Sequence, residues 1–326
     1  MTTTILSQEN SRTWESEHLS GIRHSSATVP PCSGLRSITS QADLQELKGA
    51  TFTVDLTAQG APLHADQHDV QRVFDHLRDN CSITHETLFS GDPQNLNSTE
   101  DAPRLPSTGF TAEAISYKPL THLLNAIVLA ANSHLTGPRY LQALHFDPHG
   151  LEMRDNVDSG KLSLKPDILG LLCSPTPGEP NISWKDVVVI IEVKSGLVNA
   201  TKQLATYIRN HLVDRRRSFS IAVHFDHEEL TLRFLCFHRS GLSTSLPLHI
   251  QREDGFRSVV EHMVGIMSIR DEAAVGLDTT RINDVYRLNG HNYEIVRTIQ
   301  LRKTIRGHST VVYTLKRAVS FSLVHT

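Results

Sequence analysis

The chain has 326 residues, 39% of them hydrophobic, and a formal net charge of −3. That is enough apolar material for one large domain or two smaller ones, and it excludes a globally basic nucleic-acid binder, so any such contact must rest on a local patch. The four cysteines (Cys32, Cys81, Cys173, Cys236) form no CxxC pair, no secretory signal is expected, and the apolar run near Leu123–Ala131 is too short to span a bilayer. An intracellular protein, cytoplasmic or nuclear, with no membrane partner is the expectation.

Residues 1–45 are rich in Ser, Thr and Gln and are expected to form a disordered tail. Residues 46–110 read as a partly ordered N-terminal segment and linker. Within them FTVDL suggests a strand, HDVQRVFDHLRDN a short amphipathic helix, and SGDPQNLNSTEDAPRLPSTG an exposed loop. His64 and His68 have i, i+4 spacing, but no further ligands stand nearby, and a solvated helix face is the better reading.

An α/β domain is expected over 111–275. TAEAISYKPLTHLLNAIVLAANSHLTG has helical spacing, with Thr111 as its cap and Gly137 as its stop. YLQALHFD and LEMRD suggest a hairpin around DPHG, and KPDILGLLC a strand. A Pro/Gly loop follows, then DVVVIIEVK, a continuous β-branched run typical of a strand buried on both faces. NATKQLATYIRNHLVD is a helix, SFSIAVHFD and ELTLRFLCFHR are strands, and REDGFRSVVEHMVGIMSI is a further helix. The order predicts a mixed sheet flanked by helices, with Cys173 and Cys236 as buried thiols.

Three residues in this domain carry chemistry. Asp167 heads one apolar segment, and Glu192 and Lys194 close another 25 positions later, on the same side of their strand because side chains alternate. Phosphodiester hydrolysis needs charge neutralised on a phosphoryl oxygen and an activated water, and a carboxylate-held Mg²⁺ supplies both. Asp167, Glu192 and the Val193 carbonyl are the candidate ligands, with Glu113 as an outer carboxylate. Lys194 is the candidate for orienting water, and Gln203, early in the next helix, for reaching the same cleft. The competing reading is an edge ion pair at a strand end. The run Arg215–Arg216–Arg217 is a candidate for phosphate contacts with nucleic acid, against the alternative of a solvated helix end.

KPD, IIEVK and QLATY are similar to the PD-(D/E)xK restriction-endonuclease-like core. More closely, Glu113 to Lys316 resembles the region that precedes and enters the kinase domain of the fungal-type protein kinase family. KPDILG, Trp184, EVK, QLATYIRN, Arg216–Arg217, FHRSGLSTS and GLDTTRI occur in the family's order. The resemblance implies a nuclease-like domain followed, over 276–326, by the truncated start of a protein-kinase-like N-lobe. It departs at His238, where the family has Asp, and in IRGHSTVVYTLKR, where Gly307 alone remains of the nucleotide-cradling glycines. No H-R-D loop or D-F-G site follows, so ATP binding and kinase catalysis are not expected of this chain. The expected function is a regulatory or binding module, and the alternative is a Mg²⁺-dependent nuclease using Asp167, Glu192 and Lys194.

Overall fold

The computed structural model describes residues 42, 44–81, 83–84, 112–148, 153, 164–172, 182–214, 217–279, 281–282, 285–289, 291–301, 305 and 311–318. Most of the expected tail, the loop over 90–109, Thr111, Cys32, Cys173, Arg215, Arg216 and Gly307 lie outside these residues.

A mixed sheet flanked by helices forms the larger unit. Its strands are β1 (Thr51–Thr53), β2 (His145–Pro148), β3 (Ile168–Leu171), β4 (Val187–Val193), β5 (Phe219–Asp226), β6 (Thr231–His238), β7 (Gly241–Thr244) and β8 (Leu248–His249). The spatial order is β1-β7-β6-β5-β4-β3-β2, with β8 also on β6. β4 and β5 are parallel, joined through helix α3 (Leu197–Asp214), whereas β3 runs antiparallel to both of its neighbours, β2 and β4. Such a crossover needs a connection of a dozen or more residues, which α3 supplies.

Alternation along the strands divides the core. Val189, Ile191, Val193, Ile221, Val223, Phe225 and Phe234 pack on one face against α1 (Gln67–Asn80), α2 (Tyr117–His134) and α4 (Glu253–Met267). Ile190, Ala222, Leu235 and Phe237 face the other way, against Leu204, Ala205, Ile208 and Leu212 of α3 and the wholly buried Trp184. β4 is covered on both faces, and every residue in it is buried.

The strand over His145–Pro148 pairs with β3 in the register Phe146↔Gly170, while all of LEMRD but Met153 lies outside the described residues. Gly170 suits this register, because a Cβ there would lie 3.0 Å from the Phe146 ring. The strand and short helix expected within 46–110 both form: β1 extends the sheet beside β7, and Val70, Val73, Phe74 and Leu77 of α1 enter the core. α1 begins after Asp66, whose carboxylate accepts from the His68 and Asp69 amides, so His64 stands outside the helix and the i, i+4 geometry is not formed. A 3₁₀ turn, Glu113–Ser116, precedes α2, which ends at His134 before Gly137 (φ +89°). Cys236 is buried as expected.

A second sheet follows, an antiparallel meander of β9 (Arg281–Ile282), β10 (Val285–Leu288), β11 (His291–Leu301) and β12 (Val311–Arg317). No helix among the described residues is long and apolar enough to cross a membrane.

Candidate functional site

Asp167 and Glu192 meet because β3 and β4 are antiparallel neighbours. The register pairs Leu169 with Ile190 and Ile168 with Ile191, so one step further it places Asp167 opposite Glu192. Glu192 is 0% exposed and shares the sheet face of Ile190, the α3 side. Asp167 is half-buried, and both of its oxygens are engaged. Oδ2 accepts the Val193 N–H at 2.9 Å and Oδ1 accepts the Tyr117 hydroxyl at 2.8 Å.

Tyr117 is the first residue of α2, and Glu113 lies one turn before it. The phenol therefore faces two carboxylates, with Glu113 Oε1 at 3.2 Å. Glu113 Oε2 in turn lies 3.6 Å from Lys194 Nζ. Burial raises the Asp167 carboxyl above its ordinary value, opposed by the Val193 and Tyr117 hydrogen bonds and by Lys194, with Glu113 acting in the raising direction. Burial, then the Asp167 and Glu113 charges, push the Tyr117 phenol well above its ordinary value and keep it a neutral donor.

The turn that carries Lys194 is held by β5. His224 pairs in register with Glu192, and its Nε2 lies 2.8 Å from the Lys194 carbonyl. A carbonyl only accepts, so Nε2 carries the proton. Burial lowers this imidazole's affinity for a second proton, partly offset by that hydrogen bond, and the ring is 2% exposed. Two positions on, Asp226 Oδ2 accepts the Gly196 amide at 2.8 Å. His224 and Asp226 thus fix the main chain on either side of Ser195. Gln203 donates to Tyr207 Oη at 2.8 Å, and Tyr207 donates to the Lys165 carbonyl at 2.9 Å, two residues before Asp167.

Asp167, Glu192, Lys194 and Glu113 are therefore brought together, and Gln203 reaches the approach to Asp167 through Tyr207. Sequence reasoning missed Tyr117 and His224. The Glu113–Tyr117 i, i+4 spacing could have indicated the first. His224 had no local signal, because only the β4–β5 register reveals it.

The donor set was tested for a divalent ion. Both Asp167 oxygens have partners, Glu113 is paired with Lys194, and no three His, Cys, Asp or Glu side chains among the described residues are arranged to hold a metal. As arranged, the residues do not fit such an ion. Arg217 also departs from expectation. It is 3% exposed, and its guanidinium donates to the carbonyls of Val187 (2.9 Å) and Val275 (3.4 Å), so its donors are turned inward and not toward a phosphate.

Compared with known families, residues 171–324 match the family model described as fungal protein kinase, which relates the second part of the chain to kinases. No curated protein and no solved structure matches the chain.

Proposed function

We propose that residues 111–275 are a PD-(D/E)xK nuclease-like module that serves a kinase-related protein as a binding or regulatory unit and not as a nuclease. The observation that carries this reading is the occupied acid cluster. Asp167 accepts from Val193 and Tyr117, and Lys194 lies beside Glu113 as the resident cation. These contacts occupy Asp167 and Glu113 as they stand, whereas Lys194 itself belongs to either reading. The antiparallel pairing of β11 with β12 supports reading residues 276–326 as the first strands of a protein-kinase-like lobe.

A second reading, Mg²⁺-dependent phosphodiester hydrolysis through Asp167, Glu192 and Lys194, is favoured by one observation, the register that sets Asp167 opposite Glu192. One experiment separates the two. Titration calorimetry with Mn²⁺ and cleavage of plasmid and single-stranded DNA are run on wild type, Asp167→Ala and Lys194→Ala. No saturable Mn²⁺ binding and no cleavage by folded protein is the expected result. Cleavage by wild type that both substitutions abolish would replace the first reading with the second.

A further inference from the structure

Helices α1 and α2 pack together over one face of the sheet. Val73 and Leu77 of α1 and Ile127, Val128 and Ala131 of α2 share one buried apolar cluster, as the helical spacing of apolar residues dictates. Beside this seam each helix presents a histidine: His76 near the end of α1, and His134 as the last residue of α2.

The two imidazoles are bonded to each other. His134 Nε2 lies 2.8 Å from His76 Nδ1, and the ring centroids are 4.6 Å apart, edge to face at 61°. Asn80, one turn after His76, brings its amide nitrogen to 3.3 Å from the same Nδ1. An amide NH₂ only donates, so His76 Nδ1 is the acceptor and His134 Nε2 carries the proton. The bond therefore needs one imidazole lone pair. A first added proton leaves such a pair on the other ring. With a second, both facing nitrogens carry hydrogen, and the contact turns from a bond into a repulsion between like charges.

The surroundings favour the neutral pair. Burial, then the charges of His76 and Arg72, lower the His134 imidazole below its ordinary value of 6.5. The carboxylates of α1 are held by arginines, Asp69 by Arg72, and Asp75 and Asp79 by Arg78. Beyond α2, Arg139 donates to the Ala131 carbonyl and adds a further cation. α4 meets α1 through Arg257, over the Phe74 ring, and through Glu261, which accepts from Gln67. Because the folded His134 value is lowered, the contribution of the neutral pair is complete above 6.5 and is lost as pH falls through the folded value.

We propose that the His76–His134 bond is an acid-released clasp: it ties the end of α1 to the end of α2 while one ring is neutral, and protonation of both rings opens this seam ahead of the sheet. Opening of one seam before the rest follows where local stability differs between elements. α2 is the helix whose first residue, Tyr117, donates to Asp167, so the clasp holds the far end of the element that caps the acid cluster. It does so whether or not that cluster is a nuclease site.

Hydrogen–deuterium exchange on the full chain tests the clasp, with rates divided by those of unstructured peptide at the same pH. Wild type is compared with His134→Gln and His76→Asn, which replace one ring nitrogen by an amide that does not titrate. One extra proton bound by the open form changes its population about ten-fold per pH unit. Between about pH 7.5 and about pH 5, protection of peptides 70–81 and 126–135 should therefore fall about ten-fold or more in wild type. It should fall less than about three-fold in either variant, with the β5 peptide 219–226 changing equally in all three proteins. Should one variant fail to fold, the other carries the comparison. Protection in 70–81 and 126–135 that does not fall in wild type would overturn the proposal, and so would a fall of the same size in the folded variants.

Discussion

Tyr117→Phe removes a single oxygen from the centre of the acid cluster and leaves the ring that packs against the core. The hydroxyl has one proton to give, and the 2.8 Å approach to Asp167 marks it as the main acceptor over Glu113 at 3.2 Å. A hydrogen bond to a charged group is worth about 1.5–3 kcal/mol, and one between neutral groups about 0.5–1.5 kcal/mol. Tyr117 is half-buried, so water replaces part of the loss, and about 1–2 kcal/mol is expected at pH 7.

The pH dependence has a definite sign. The folded-state Asp167 carboxyl titrates above its ordinary value of 3.8, so the folded state binds the proton more tightly, and this stabilisation is complete in acid and lost as pH rises through the folded value. Removing a donor that favours the carboxylate raises the folded value further and deepens that loss. The destabilisation by Tyr117→Phe should therefore grow from acid to neutral pH and fall to about 0.5–1 kcal/mol below pH 3.8, where Asp167 is protonated in both states. Urea unfolding of both proteins, followed by the fluorescence of buried Trp184 at several pH values, measures this. A difference below about 0.3 kcal/mol at pH 7, or one equal at acid and neutral pH, would refute the assignment of Tyr117 as the Asp167 donor.

Three further outcomes follow from packing and burial. Arg217→Met should cost about 2–4 kcal/mol in urea unfolding, because the Val187 and Val275 carbonyls both lose a buried donor, and Arg217→Lys should recover little, since one ammonium replaces a planar fork. Gly265→Ala should destabilise by about 1–3 kcal/mol, or more, since a Cβ at this position of α4 would lie 2.0 Å from the Leu63 carbonyl oxygen; a melting temperature unchanged from wild type would contradict that approach. The Cys236 thiol is pushed up to about 12 by burial, whereas Cys81 is exposed, so iodoacetamide at pH 8 should label Cys81 in native protein and Cys236 only after unfolding, as read by peptide mass.

Much of the α/β unit was legible because its signals are local. The run VVVIIEV has no polar alternation until Glu192, and it forms a seven-residue strand buried throughout. Helices α1, α2, α3 and α4 follow apolar spacing that any window of a dozen residues displays. Pairing was less legible. β1 joins the sheet beside β7, some 190 residues later, with only three residues in register. β2 lies on β3 with the Phe146 ring against Gly170, a fit that no local pattern in either strand signals. The Arg-Arg-Arg run looked like a surface feature, yet Arg217 finds two carbonyl acceptors inside. A cluster of like charges does not by itself say which member turns inward.

The amino-acid sequence by itself determined the elements, the fold class and the candidate residues Asp167, Glu192 and Lys194, because hydrophobic periodicity and strand parity are properties of neighbouring residues. Only the tertiary structure decided what those residues are bonded to. Tyr117 caps Asp167 from another element, His224 holds the Lys194 carbonyl across a parallel strand pair, and Ile305 fills a core more than a hundred residues away from most of its neighbours. Each of these depends on register between segments distant in the chain, which is set by the packing of the whole core and is written in no local pattern.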